Sequence, residues 1–207
     1  ITNKPFKMPA LQPLTIKPAT DYVEIEISDP SLNPRFMAGL LRDVTIAPSP
    51  ALIQRRLKAV GMRPINNMVD ATNYAMLALG QPLHAFDYDV LVKRAKGKKV
   101  KIITRSANKG ETITTLDDIE RKLDASTTLV CDIAGALSIA GVMGGLESEV
   151  TSTTRNILLE SASWNMINIR RTARAQNLPS EASFRYSRGV HPSMAEKGLL
   201  LALELMR

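Results

Sequence analysis

The sequence predicts an α+β domain. Three observations carry this: strand-like runs gather in the middle of the chain, helix-like runs lie before and after them, and the two do not interleave in the βαβ rhythm of a parallel sheet. The elements follow in order. Residues 1–20 hold Pro5, Pro9, Pro13 and Pro18 and read as an irregular linker, leaving 21–207 as the folded part. "YVEIEIS" (22–28) alternates strictly, as a strand with one wet face does, and "RFMAGLLRDVTI" (35–46) reads as a second strand after the turn "DPSLNP". Ser49 is placed to cap a helix with Pro50 at its first position, over "ALIQRRLKAV", with Leu52, Leu57 and Val60 near one face. A second helix is expected over 66–79, stopped by Gly80. "KVKIITRSA" and "GETITTLDD" alternate, "TTLVCDIAGALSIAGVMGG" is an apolar β-prone run broken by glycines, and "RNILLESAS" reads as a short buried strand. "NMINIRRTARAQ" and "SMAEKGLLLALELM" return to helical spacing.

The composition, 44% hydrophobic and 23% charged over 207 residues, suffices for a sizeable core in one large domain or two small interlocked ones. The formal charge of +7 favours a polyanionic partner, nucleic acid ahead of a membrane surface, though basic proteins without such partners are common. Cys131 is the only cysteine, which excludes an internal disulfide and a Cys-rich zinc site and fits a reducing, cytoplasmic setting. No run approaches the roughly 18 apolar residues of a membrane span, and the first residues lack a signal peptide's apolar core. The start at Ile1 and the stop inside a helical pattern read as a piece of a longer protein.

Phosphate-binding, nucleophile-elbow and zinc-protease signatures are missing, and two histidines with one cysteine make no convincing metal site. Four local features remain, each with two readings. His84, in "GQPLHAFDYD", can orient a water or bond a ligand hydroxyl, or simply close a loop. "GVMGG" (141–145) can admit a ligand to the backbone or make a tight turn. Glu160, in "ILLESAS", can line the floor of a small pocket or act as a helix-start acid. The stretch 170–192, with Arg170, Arg171, Arg174, Arg185 and Arg188 beside Phe184 and Tyr186, suits RNA phosphates and stacked bases, or its arginines can pair with carboxylates.

Taken jointly, "INNMVDATNYAMLALGQPLHAFDYD", "IAGVMGGLESEVTSTTRNILLESASW" and "LPSEASFRYSRGVHP" closely resemble the central editing domain of bacterial phenylalanyl-tRNA synthetase β subunits. The likeness runs from about residue 22 to the C-terminus in the family's order. It implies a layered β-sandwich of unusual topology with flanking helices, one editing domain of two interlocked subdomains. The family's enzymes are heterotetramers of two α and two β subunits, whose synthesis uses ATP and magnesium. No cofactor or metal is expected in this part. The implied activity is hydrolysis of tyrosine wrongly esterified to the phenylalanine tRNA, whose acceptor end would be the partner. An apolar synthetic pocket rejects an analogue with one added hydroxyl by only about 10²-fold, whereas a site that hydrogen-bonds the hydroxyl discriminates by roughly 10⁴ to 10⁵. An activated ester needs only a placed water and some oxyanion stabilisation.

By that resemblance Glu160 accepts the tyrosine hydroxyl beside the backbone of Gly144, and Ala182 leaves room for the ring. Ser180, where many relatives carry threonine, keeps the hydroxyl that helps hold the amino acid. His84 orients the ester and the attacking water. His191 stands where relatives usually carry an acid, with a structural consequence expected. Two alternatives stay open: an RNA-binding or assembly module without chemistry, and a freestanding editing protein of the same fold.

Overall fold

The structure, a computed structural model, describes residues 16–207; most of the stretch read as a linker lies outside them, and 16–19 form no regular element. Three sheets are present among the described residues. The largest orders β1 (Val23–Ile27), β4 (Val100–Ser106), β7 (Thr128–Asp132), β8 (Gly135–Ile139) and β9 (Met143–Gly144). The second places β10 (Ile157–Ser163) between β2 (Arg35–Leu41) and β3 (Leu83–Asp87), antiparallel to both. The third is the hairpin of β5 (Thr112–Thr114) and β6 (Glu120–Lys122). Among the described residues there are also six α-helices, α1 (Ala51–Ala59), α2 (Asn67–Leu79), α3 (Tyr88–Arg94), α4 (Met166–Ala175), α5 (Glu181–Tyr186) and α6 (Met194–Met206), and one 3-10 turn at Leu146–Ser148. The architecture is α+β, as the segregation of strands and helices predicts.

Two cores make the layers. Phe36, Phe86, Leu158 and Ala162 of the three-stranded sheet pack with Ile102, Leu129, Val130 and Ile139 of the five-stranded one. On the other face, Ile157, Leu159 and Ala85 pack with Met68, Ala71 and Ala75 of α2 and with Leu199 and Ala202 of α6. The central strand β10 is therefore covered on both sides, which is why "ILLESAS" reads as a continuous run rather than an alternation.

Several local expectations fail for identifiable reasons. The second strand ends at Leu41, short of residue 46. Ser49 does not cap α1; Pro50 occupies the cap, and the Ser49 hydroxyl instead donates to Asp70 of α2 at 2.5 Å. Leu57 is the one buried residue of α1, which packs on α2, while Leu52 and Val60 are exposed. The second helix forms as expected, with Asn66 accepting from Met68 and Val69 N–H and Gly80 in the left-handed region at φ 73°.

Candidate functional site

His84 does not close a loop: it sits on β3, directly opposite Glu160 on β10. Strand periodicity sets their common direction. Leu158 and Ala162 flank Glu160 on the face turned to the five-stranded sheet, and Phe86, two residues on from His84, shares that face. Glu160 is thus a carboxyl set into an inter-sheet core, not a helix-start acid.

Burial dominates the electrostatics of this pair. It pushes the Glu160 carboxyl up to about 8 and the His84 imidazole down to about 4. Both groups are neutral near pH 7. Glu160 Oε2 and His84 Nε2 are shut off from solvent and have no hydrogen-bond partner. Such atoms carry a desolvation penalty that a ligand hydroxyl could relieve. The His84 ring is held edge-on to Phe86, with centroids 4.5 Å apart.

A cleft of about 90 Å³ opens over the pair, lined by His84, Gly144 and Glu160 together with Met143, Ala182 and Tyr186. That volume holds a few waters, at about 10–15 Å³ each. Gly144 fits against the histidine ring so closely that an added Cβ would lie 2.4 Å from His84 Cε1. Of the two readings of "GVMGG", the tight turn is made by Gly141 at φ +64°, while the close neighbour of Gly144 is the His84 ring. A larger groove of about 670 Å³, along Tyr22, Arg42 and Met206, contains none of these residues.

Ser180 stands just outside the cleft lining. Its hydroxyl donates to Val142 O at 2.7 Å and accepts from Ser183 N–H at 3.0 Å, capping α5. It fixes the helix that presents Ala182. The structure therefore brings together His84, Gly144, Glu160 and Ala182, with Ser180 one layer behind them.

The arginine stretch divides. Arg170, Arg171, Arg174 and Arg188 are exposed, Arg170 donating to Ser187 O and Arg188 lying 3.5 Å from the Phe184 ring centroid. Arg185 pairs with Glu181 at 2.6 Å. Tyr186, read as a stacking aromatic, is instead a core residue, 2% exposed. Its ring lines the cleft, and its spacing of four from Ala182 on α5 was the signal that could have revealed this. His191 is exposed and bonds Ser193 ahead of α6. Among the described residues, no group of three or more His, Cys, Asp or Glu is arranged to hold a metal ion, and no helix is long and apolar enough to cross a membrane.

An α+β domain with a small cleft between its two larger sheets is the class that fold and site define. The chain belongs to the B3/4 domain family, whose model matches residues 32–207. It is 49% identical over 210 residues to the phenylalanine–tRNA ligase β subunit of Moorella thermoacetica, covering 99% of this chain and 25% of that protein. The corresponding β subunit of Syntrophus aciditrophicus is 42% identical over 207 residues, covering 99% and 24%. The chain thus spans about a quarter of the length of these relatives. Among solved structures, an N-terminal fragment of the phenylalanyl-tRNA synthetase β subunit from Pyrococcus horikoshii aligns with a TM-score of 0.49 at 13% identity, covering 84% of this chain and 52% of that one.

Proposed function

We propose that this domain edits: it hydrolyses the ester of tyrosine mischarged onto phenylalanine tRNA, as part of a phenylalanine–tRNA ligase. The observation that carries the reading is the pair of buried, unpartnered atoms, Glu160 Oε2 and His84 Nε2, beneath one cleft. A phenol hydroxyl entering there gains a partner in Glu160, because a protonated carboxyl both donates and accepts. A phenyl ring leaves Glu160 Oε2 dry, and that asymmetry is what spares the correct product. Ala182 gives the ring its space. His84, neutral at the working pH, orients the ester and the attacking water as a hydrogen-bonding group. Ser180 acts through α5, holding Ala182 at the cleft.

In this reading the partners are the tRNA acceptor end and a synthetic α subunit, and ATP and magnesium serve the parent enzyme's synthetic site. The setting is cytoplasmic, as for other steps of translation. Arg170, Arg171, Arg174 and Arg188, exposed on α4 and just beyond α5, supply positive charge for the tRNA backbone, with Arg185 already committed to Glu181. The test is deacylation of tyrosyl-tRNA against phenylalanyl-tRNA by this domain in its assembled ligase, with preferential loss of tyrosine expected. Equal rates for the two esters count against the reading.

A further inference from the structure

The three-stranded sheet has a defect beside the cleft, and the way it is repaired involves the cleft wall. The β3–β10 ladder runs in register up to Ser161 opposite Leu83, so its next pair would set Ala162 against Pro82. Proline has no N–H to give, and the ladder cannot continue. Two buried side chains occupy the gap. Gln81 Nε2 donates towards Pro82 O at 2.8 Å, Ala162 O at 2.9 Å and Tyr186 Oη at 3.0 Å. Tyr186 Oη lies 2.9 Å from each of the same two carbonyls. The hydrogens match the acceptors: two on the Gln81 amide and one on the phenol serve two carbonyls and the phenol oxygen. Burial pushes the Tyr186 phenol well above its usual pKa, so it remains a donor throughout the neutral range.

The geometry points to Tyr186, held by Gln81, as the residue that sets the width of the cleft, and so the positioning residue for tyrosine selection under the function proposed above. Pro82, just ahead of β3, and Ala162, on β10, stand two residues from His84 and Glu160 respectively. Tyr186 stands one helical turn from Ala182, and both line the cleft. Its hydroxyl therefore ties the wall that faces the ring to the floor that reads the hydroxyl. Ser180, bonded to Val142 O, pins the other end of α5.

The test is Tyr186→Phe in the assembled ligase, which keeps the ring and deletes the tie, assayed for deacylation of tyrosyl- and phenylalanyl-tRNA with thermal unfolding alongside. The expected result is a fall of about 10- to 100-fold in kcat for the tyrosyl ester from misplacement alone, with KM little changed. The phenylalanyl rate should change less, so that the ratio of the two contracts. A folded Tyr186→Phe enzyme that melts earlier but keeps the wild-type ratio overturns the inference. Should that variant not fold, Gln81→Met removes the amide donors together with the unpartnered Gln81 Oε1, and the same contraction is expected. An unchanged ratio there is equally fatal. A wild-type enzyme that leaves tyrosyl-tRNA intact removes both this inference and the proposed function, whereas an active wild type with unresponsive variants removes the tie alone.

Discussion

Glu160 and His84 oppose each other in register across the β3–β10 ladder, with the acid titrating at about 8 and the base at about 4. The usual order of a carboxyl and an imidazole is inverted, so near pH 7 the two form no ion pair. They are two neutral groups, each with an unpartnered buried atom, set in a core that includes Leu158, Ala162 and Phe86.

The inversion has a consequence for stability. Below about 6.5, down to 4, the unfolded chain protonates His84 and the folded one does not, so this group makes stability fall as pH falls. Between about 4.5 and 8 the unfolded chain ionises Glu160 while the folded one keeps its proton, so this group makes stability fall as pH rises. From pH 6.5 to 8 only the second effect operates. Denaturant unfolding of the wild type should therefore show a decline over that window that Glu160→Gln lacks. Parallel curves for the two proteins would contradict the burial of Glu160.

An unpartnered carboxyl in a core is a standing cost. Glu160→Met, similar in length and apolar, should raise unfolding free energy by about 1–3 kcal/mol while abolishing preference for the tyrosyl ester. Calorimetry and deacylation on one preparation measure both. A variant that melts earlier than the wild type would mean that Glu160 has a structural partner.

Gly144→Ala tests the wall facing His84. Its Cβ would fall 2.4 Å from the ring, so the ring or β9 must move, at about 1–3 kcal/mol. Deacylation of both esters should fall together. Adding His84→Ala to Gly144→Ala should recover most of the lost stability without recovering activity, and a double-mutant cycle that shows simple additivity rules out the contact.

Much of the fold is legible from local pattern. The strand at "VEIEI" and the stop of the second helix at Gly80 appear where the residues place them, although burial along that strand does not alternate, Ile25 being exposed. Some short elements, α3, α5, β3 and β6, escape because so few residues carry little pattern. Asp87, which ends β3 and accepts from Asp89 and Val90 N–H, is the missed cap that starts α3. At the cleft, His84, Glu160 and the glycines of "GVMGG" stand out locally with two readings each, and the resemblance supplies their roles; Ala182 comes from the resemblance alone. Gln81 is invisible because the feature that recruits it, a proline ending a ladder, exists only once the strands are paired, and Tyr186 shows only in its spacing of four from Ala182.

Ala182 borders the space assigned to the ring. Ala182→Trp should fill the cleft and reduce tyrosyl-tRNA deacylation by at least an order of magnitude while thermal unfolding stays close to the wild type, since the cleft can vent the indole to solvent. Wild-type deacylation by a folded Ala182→Trp protein would place the ring elsewhere.

Discrimination by Glu160 is the central claim, and Glu160→Ala measures it most directly, in the assembled ligase with both esters. Losing the hydrogen bond between the neutral carboxyl and the tyrosine hydroxyl should cost about 0.5–1.5 kcal/mol. That is up to about one decade in tyrosyl-tRNA deacylation. Phenylalanyl-tRNA, which never satisfied the carboxyl, should be cleaved at an unchanged or slightly higher rate. If the two rates instead fall by the same factor, Glu160 supports the fold and does not read the substrate.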